Sequence, residues 1–345
     1  MNIYTFIPLR NKLIVGVVSD DKHQVIQLET FSNFRGQRSE SIIEKLKIKF
    51  EKKSLLPDLA IIKVPFGGEF FKGPVLFNEE SLQYLIEIIP FAPLPTPAII
   101  ELAKAFKTIF PGKTLVLIFE TAFFVDLPEN ERFYAIPKDL SESLKLRRFG
   151  YHGLYHLNTM ETIYRKNSRA RIISICLEPR PEIAAIRNGK PVFVTGGATP
   201  LEGLPGESSS GEIDPFIITT IADKLDWGPE QINRMLCSFS GISGILGEKT
   251  TLAHLFERKD KKSLLARNIL QYKILLACGA AIASMRGCDA IVFSGIYSRL
   301  SSKLKKYLQS QLNFSNAANL TYSTIADPIE VIMVKQALSF IQQKK

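Results

Sequence analysis

Apolar and polar positions follow two periods along this chain, and each switch between them predicts a new element. Over residues 1–30, short apolar runs at Ile3–Ile7, Leu13–Val18 and Val25–Leu28 are separated by polar breaks, which predicts an antiparallel meander. Ser39–Lys53 shifts to helical spacing, with Ile42, Ile43, Leu46 and Phe50 apolar among lysines. Leu59–Phe66 is a continuous apolar run of the kind a buried parallel strand shows. Glu79–Ile89 and Ala98–Phe110 predict helices, and Thr114–Phe119 predicts a second buried strand that ends at Glu120. Between those two helices, PFAPLPTPA carries Pro90, Pro93, Pro95 and Pro97, which predicts an extended, stiff connection.

The same alternation continues to the end. Strands are predicted at Ala170–Leu177, Ile183–Arg187, Pro191–Thr195, Ala290–Ser294 and Leu320–Tyr322. Helices are predicted at Ile213–Leu225, Pro229–Leu236, Leu264–Arg286 and Leu304–Leu312. Strands interleaved with helices over 345 residues imply an α/β chain of two domains, each with its own core. Within Leu264–Arg286, the small residues Ala277, Gly279, Ala280, Ala281 and Ala283 suit close packing, in the core or across a subunit interface. Its most apolar run, Ile274–Met285, is shorter than a bilayer span, so no membrane segment is expected.

Composition narrows the class. With 46% hydrophobic and 23% charged residues the chain is of ordinary globular type. The net charge of +10 comes from scattered lysines and arginines with no aromatic–basic motif, so no nucleic-acid partner is expected. A surface that attracts small anions is the better reading. Cys176, Cys237, Cys278 and Cys288 form no CxxC pair and sit among apolar residues. Reduced thiols and the lack of a signal-peptide pattern in MNIYTFIPLR give a cytoplasmic expectation.

The chemistry gathers in VTGGATPLEGLPGESSSGEIDP, residues 194–215. Gly196, Gly197, Gly203, Gly206 and Gly211 allow close backbone approach, and Ser208, Ser209 and Ser210 offer small donors. Such a stretch can wrap an anionic ligand or lie as a surface loop. Elsewhere, Glu120 stands at a strand end, where a carboxylate either orients a substrate or caps a turn. His152 lies between two glycines after paired arginines, and Glu330 opens the last helix.

Several segments resemble the acetate kinase family. TPLEGL followed by SGEIDP resembles the family's TPLEGL and RSGDIDP, FETAFF at 119–124 its FDTAFH, and RRFGYHG at 147–153 its RRYGFHG. VPFGGEFF at 64–71, APLPTPA at 92–98, IAAIRNGKP at 183–191, SGISGILG at 240–247 and CDAIVFSGI at 288–296 match further family segments in order. The resemblance implies two actin-like (ribonuclease H-like) domains: 1–148 plus 325–345, with a returning C-terminal helix, and 149–324. It implies phosphoryl transfer between ATP and a short-chain carboxylate, with Mg2+, in a homodimer. His152, Glu120 and Lys63 take the catalytic positions, and Glu330 and Glu120 the metal positions. Gly196, Gly197, Ser208, Ser209, Gly295 and Tyr297 take the cofactor-binding positions.

Departures from the family pattern fall mostly in ligand loops. The first phosphate loop is replaced by Ile7-Pro8-Leu9-Arg10-Asn11-Lys12, with no glycine. Lys63 and Ser209 stand where the family has arginines, and Phe66, Pro95, Phe124 and Cys176 stand where it has histidines. Its HLGNGSS loop becomes Cys176-Leu177-Glu178-Pro179-Arg180-Pro181-Glu182, and its GIGEN becomes Gly295-Ile296-Tyr297-Ser298-Arg299. Two functional expectations follow. One is a carboxylate kinase with weak or altered catalysis, using Mg2+ and ATP. The other is a non-catalytic pseudoenzyme without cofactor, acting as a dimeric binding or scaffold protein.

Overall fold

The computed structural model describes residues 1–20, 24–312 and 320–344. They form two compact units, Met1–Val125 with Asp327–Lys345, and Asp126–Ala326.

The first unit is built on strands β1 (Asn2–Pro8), β2 (Lys12–Ser19), β3 (Gln24–Ser32), β4 (Leu59–Val64), β5 (Val75–Leu76) and β6 (Thr114–Phe119). Among the described residues they form one sheet in the order β3-β2-β1-β4-β6-β5. β1, β2 and β3 are an antiparallel meander, and β4 and β6 join β1 in parallel. Successive side chains of a strand face opposite ways. Tyr4 and Phe6 therefore enter the core beneath the helices Ser39–Glu51 and Pro95–Ile109, where they meet Phe50 and Phe106 edge-on at 5.5 and 6.0 Å between ring centres. Thr5 faces the other way, towards the C-terminal helix Ile329–Gln343, which packs on β1, β2, β4 and β6.

One expectation is corrected here. PFAPLPTPA is not extended: a turn of 3-10 helix covers Ile89–Phe91 and an α-helix begins at Pro95. Pro95 and Pro97 fall in the first turn, where the missing N–H has no intrahelical partner to lose and the fixed φ suits a helix.

The second unit repeats the scheme. Strands β7 (Ile172–Cys176), β8 (Glu182–Arg187), β9 (Lys190–Val194), β10 (Ala290–Ser294) and β11 (Thr321–Thr324) are ordered β11-β10-β7-β8-β9. Again three strands run antiparallel in a meander and two more join the first in parallel. Asn188 and Gly189, at φ of 53° and 75°, turn β8 into β9, the left-handed pair that a two-residue hairpin needs. Each unit is thus a ribonuclease H-like α/β layer of the actin type.

The helix Lys261–Met285 backs this second sheet. Asp260 caps its start by accepting from the Ser263 amide at 3.0 Å. It begins three residues before the expected start at Leu264, and at 25 residues it has the length and apolar content to cross a bilayer. The expected helix Leu264–Arg286 is thus present, with its start moved by three residues and its end by one. Its buried residues Ala266, Leu270, Ile274, Cys278, Ala281 and Met285 form a stripe of helical spacing against β7, β8 and β9. Leu265, Tyr272 and Leu276 lie on its uncovered side. The helix Pro215–Leu225, capped by Asp214, buries no residue at all.

A Cβ on Gly16 of β2 would lie 2.6 Å from the Thr5 hydroxyl and 2.9 Å from Cγ of Glu330, so this glycine lets the C-terminal helix seat on the sheet. Gly16→Ala is expected to destabilise the first unit by about 1–3 kcal/mol, the usual effect of overpacking. Urea denaturation followed by circular dichroism measures it, and unchanged stability would mean that Glu330 shifts aside freely.

Candidate functional site

In the first unit the candidate residues stand at the carboxyl ends of parallel strands, where α/β sheets place ligands. Lys63 is on β4, and Glu120 follows β6, its amide donating to the Val64 carbonyl at 3.0 Å. The Lys63 ammonium reaches Glu120 Oε1 at 2.6 Å, with the carboxylate almost fully buried and the lysine side chain 15% exposed. Thr121 fixes this corner by accepting from the Gly67 amide at 2.9 Å, and Phe71 stacks on Phe119 beneath it. The arrangement presents a carboxylate already neutralised by a lysine ammonium. An anionic substrate can draw on the lysine only in competition with Glu120.

Glu330, also buried, lies against Gly16 and Thr5. Among the described residues no group of three or more histidines, cysteines and acidic side chains could hold a metal ion. Magnesium, however, is commonly held by one or two carboxylates together with substrate phosphates. Glu120 and Glu330 are carboxylates of that donor type. At the tip between β1 and β2, Arg10 and Lys12 are exposed. Burial and then the charge of Arg10 lower the pKa of Arg35, so two guanidiniums stand close together there.

In the second unit the chemistry centres on Glu182, the first residue of β8 and only 4% exposed. Its carboxylate accepts from the Tyr151 amide at 2.9 Å and the His152 amide at 3.0 Å. His156 Nε2 lies 3.3 Å away, and His156 Nδ1 is 2.8 Å from the Ser174 hydroxyl on β7. Burial pushes this carboxyl up, but the hydrogen bond and charge of His156, the charge of His152 and the Tyr151 amide outweigh it and hold the group below the usual glutamate range. Gly196 is packed against it: a Cβ there would collide with Glu182 Oε2.

His152 sits at the cap of the helix Gly153–Tyr164, and its Nε2 is 2.9 Å from the Arg180 carbonyl. A carbonyl only accepts, so this nitrogen carries the proton. The preceding arginines have separate roles. Arg147 is buried over the Phe149 ring. Arg148 pairs with Glu202 at 2.7 Å and donates to the Gly196 carbonyl at 2.9 Å. Tyr134 donates to the other oxygen of Glu202 at 2.5 Å and accepts from the Ala198 amide, while Tyr151 donates to the Ala198 carbonyl at 2.6 Å. Gly197 is pressed against Glu202 as Gly196 is against Glu182.

The rest of the glycine–serine stretch is packed and not a loose surface loop. Ser208 donates to the Cys237 carbonyl at 3.1 Å. Ser209 is 1% exposed and its carbonyl accepts from the Gly206 amide at 3.0 Å. Gly295, at φ 88°, lies under the Leu177 carbonyl, which accepts from the Tyr297 amide at 3.0 Å. Burial and then a hydrogen bond to Glu207 push the Tyr297 phenol well up. Within the second unit the structure brings His152, Gly196 and Gly197 into one network, and Ser208, Ser209, Gly295 and Tyr297 into the loops beside it. The sequence reading assigned no role to Tyr134 or Glu202 in this network. Glu202 lies inside TPLEGL, but its partners Arg148 and Tyr134 are 54 and 68 positions away, beyond any local signal.

A sequence profile described as the acetokinase family matches residues 3–317. The acetate kinase of Thermoanaerobacter pseudethanolicus is 34% identical over 260 residues, which take in 73% of this chain and 65% of that relative. The chain thus spans about two thirds of the length of such curated relatives. The acetate kinase of Sulfurimonas denitrificans is 30% identical over 91% of this chain and 84% of its own. Among solved structures, Porphyromonas gingivalis acetate kinase superposes with a TM-score of 0.91 at 21% identity over 99% of both chains. A propionate kinase from Francisella tularensis superposes with a TM-score of 0.88 at 24% identity over 97% of this chain and 98% of its own.

Replacing Glu182 by alanine would leave the Tyr151 and His152 amides without their acceptor, a loss expected to cost about 3 kcal/mol. Because its folded pKa is depressed, this carboxylate stabilises the unit fully above the ordinary glutamate range. The contribution falls as pH drops through that range and is gone below the folded pKa. Acid titration followed by tyrosine and tryptophan fluorescence should therefore show Glu182→Ala less sensitive to acid than the native protein. Parallel acid curves would assign the acid sensitivity elsewhere.

Proposed function

This chain belongs to the acetokinase family, and on that premise we propose that it transfers a phosphoryl group between ATP and a short-chain carboxylate, giving acyl phosphate and ADP at a reduced rate. The observation that carries the proposal is the buried Lys63–Glu120 pair at the ends of β4 and β6. A buried charge pair is expensive to maintain and is weak support for stability, so its place at a strand end points to chemistry.

Each residue then has a stated task. Lys63 attracts the substrate's anion with a point charge, without the two parallel bonds a guanidinium would give. Glu120 orients the reacting oxygens, and with Glu330 it would hold Mg2+, which when bound neutralises charge on the phosphates. In the second unit His152 stabilises the transferring group, and must first release the Arg180 carbonyl from Nε2. Ser209, buried at the family's arginine position, supplies no cation. Loss of such a clamp accounts for a slow reaction, because an arginine there is worth about three to five orders of magnitude.

A homodimer is part of the proposal. Helix Pro215–Leu225 buries none of its residues, Phe216 is 76% exposed, and Leu265, Tyr272 and Leu276 add a second uncovered apolar face on the same unit. Single-sign polar surfaces keep proteins apart, while apolar faces of this kind mark association sites. The four cysteines are free thiols, in keeping with a reducing cytoplasm.

Trapping acyl phosphate with hydroxylamine across acetate, propionate and butyrate tests the reaction. Glu120→Ala is expected to lower the rate about 100-fold, and Lys63→Arg to lower KM for the carboxylate. Native protein that forms no hydroxamate with any of the three would remove the kinase reading in favour of a non-catalytic role. For the dimer, light scattering is expected to give twice the chain mass for the native protein and the single mass for Phe216→Glu with Leu265→Glu. A native monomer would overturn the dimer.

A further inference from the structure

The loop between β7 and β8 is turned inside out as an anion site. Phosphate loops present backbone amides outward, but Pro179 and Pro181 have none. The loop's carbonyls point inward: Pro179 accepts from the Glu207 amide at 2.8 Å, and Arg180 from His152. Its side chains accept as well. Glu178 Oε1 takes the Ile296 amide at 2.9 Å, just beyond β10. β7 and β10 are parallel neighbours, so Glu178 bridges the two strand-end loops where an α/β sheet places its ligand.

Glu207, in the glycine–serine stretch, makes the matching bridge from the other side. Its Oε1 accepts from the Leu252 amide at 2.9 Å, and its carboxylate accepts from the Tyr297 hydroxyl. Two carboxylates from two loops therefore occupy three donors on two other segments, the Ile296–Tyr297 loop and Leu252. Phosphate oxygens are acceptors too and carry the same sign of charge, so a polyphosphate at these loops finds those three donors taken and two carboxylates beside it, against the single guanidinium of Arg180 in the β7–β8 loop.

We propose that Glu178 and Glu207 act as built-in anions that set the ligand preference of this loop cluster, so that it holds the nucleoside part of a nucleotide and disfavours its phosphates. Affinity then falls from adenosine to ADP to ATP, the reverse of a phosphate-cradling site. The inference rests on the reading that the second unit binds a nucleotide, and it names which part of that ligand the site selects.

The test is a set of dissociation constants for adenosine, ADP and ATP, measured by calorimetry on the native protein, Glu178→Ala, Glu207→Ala and the double variant. Expected is native binding of adenosine at least as tight as of ATP. Removing both carboxylates is expected to tighten ATP binding about tenfold, with adenosine changed by less than about twofold. Glu178→Ala should show part of the gain by itself, and because its bond to Ile296 is exposed the substitution is expected to leave the fold intact. Native protein that binds ATP more tightly than adenosine overturns the inference, as does a double variant with unchanged ATP affinity, or no adenosine binding in any form. The hydroxamate assay separates the two readings. Discrimination against ATP without acyl phosphate formation keeps this inference and removes phosphoryl transfer. Acyl phosphate formation with an ATP affinity that neither substitution moves does the opposite.

Discussion

A single buried carboxylate, Glu182, governs how the second unit arranges its loops. An ionised group in a protein interior is tolerable only with full compensation, and Glu182 gathers that compensation from the Tyr151 and His152 amides and from His156 on the following helix. His156 in turn is fixed to Ser174 on the neighbouring strand. The position of the turn before the helix, the face that the helix shows the sheet, and the need for glycine at 196 all follow from satisfying this one charge. Glu202 does similar work a few residues along, drawing Arg148 and Tyr134 onto the TPLEGL segment.

The first unit has a simpler counterpart. Lys63 and Glu120 pair across adjacent strand ends, which places a cation there that an anionic ligand can compete for. In the second unit Glu182 is held largely by backbone amides, which cannot leave without moving the chain. Lys63 is a side-chain charge that can be redirected, while Glu182 is fixed into the fold.

Much of the architecture was legible because it depends on local spacing. The meander at residues 1–30, the helix from Ser39, and the buried strands before Gly67 and Glu120 announce themselves by period alone. The start of the helix at Pro95 was not legible in that way, because four prolines in nine residues read as extended chain until two of them are placed in a first turn. The helix expected at Leu264–Arg286 was legible to within a turn, its first residues Lys261 and Lys262 lying outside the apolar run. Resemblance aligns positions of this chain with the family's catalytic and ligand positions, but it does not give those residues' present partners. Gly196 and Gly197 read as room for a ligand, and the structure sets Glu182 and Glu202 against them. Side-chain pairs separated by fifty positions or more leave no trace in periodicity.

The loop Glu178-Pro179-Arg180-Pro181-Glu182 has a consequence for how this protein can change. Each of its residues but Pro181 has a bond to another segment: Glu178 to Ile296, Pro179 to Glu207, and both Arg180 and Glu182 to the Tyr151–His152 turn. Residues that share partners in this way do not contribute additively. A return to a glycine-rich loop, taken one substitution at a time, passes through intermediates in which a buried donor or charge has lost its match, and only the exchange at the exposed end, Glu178, is mild. The loop is therefore an epistatic lock, open to revision from one side and closed from the other.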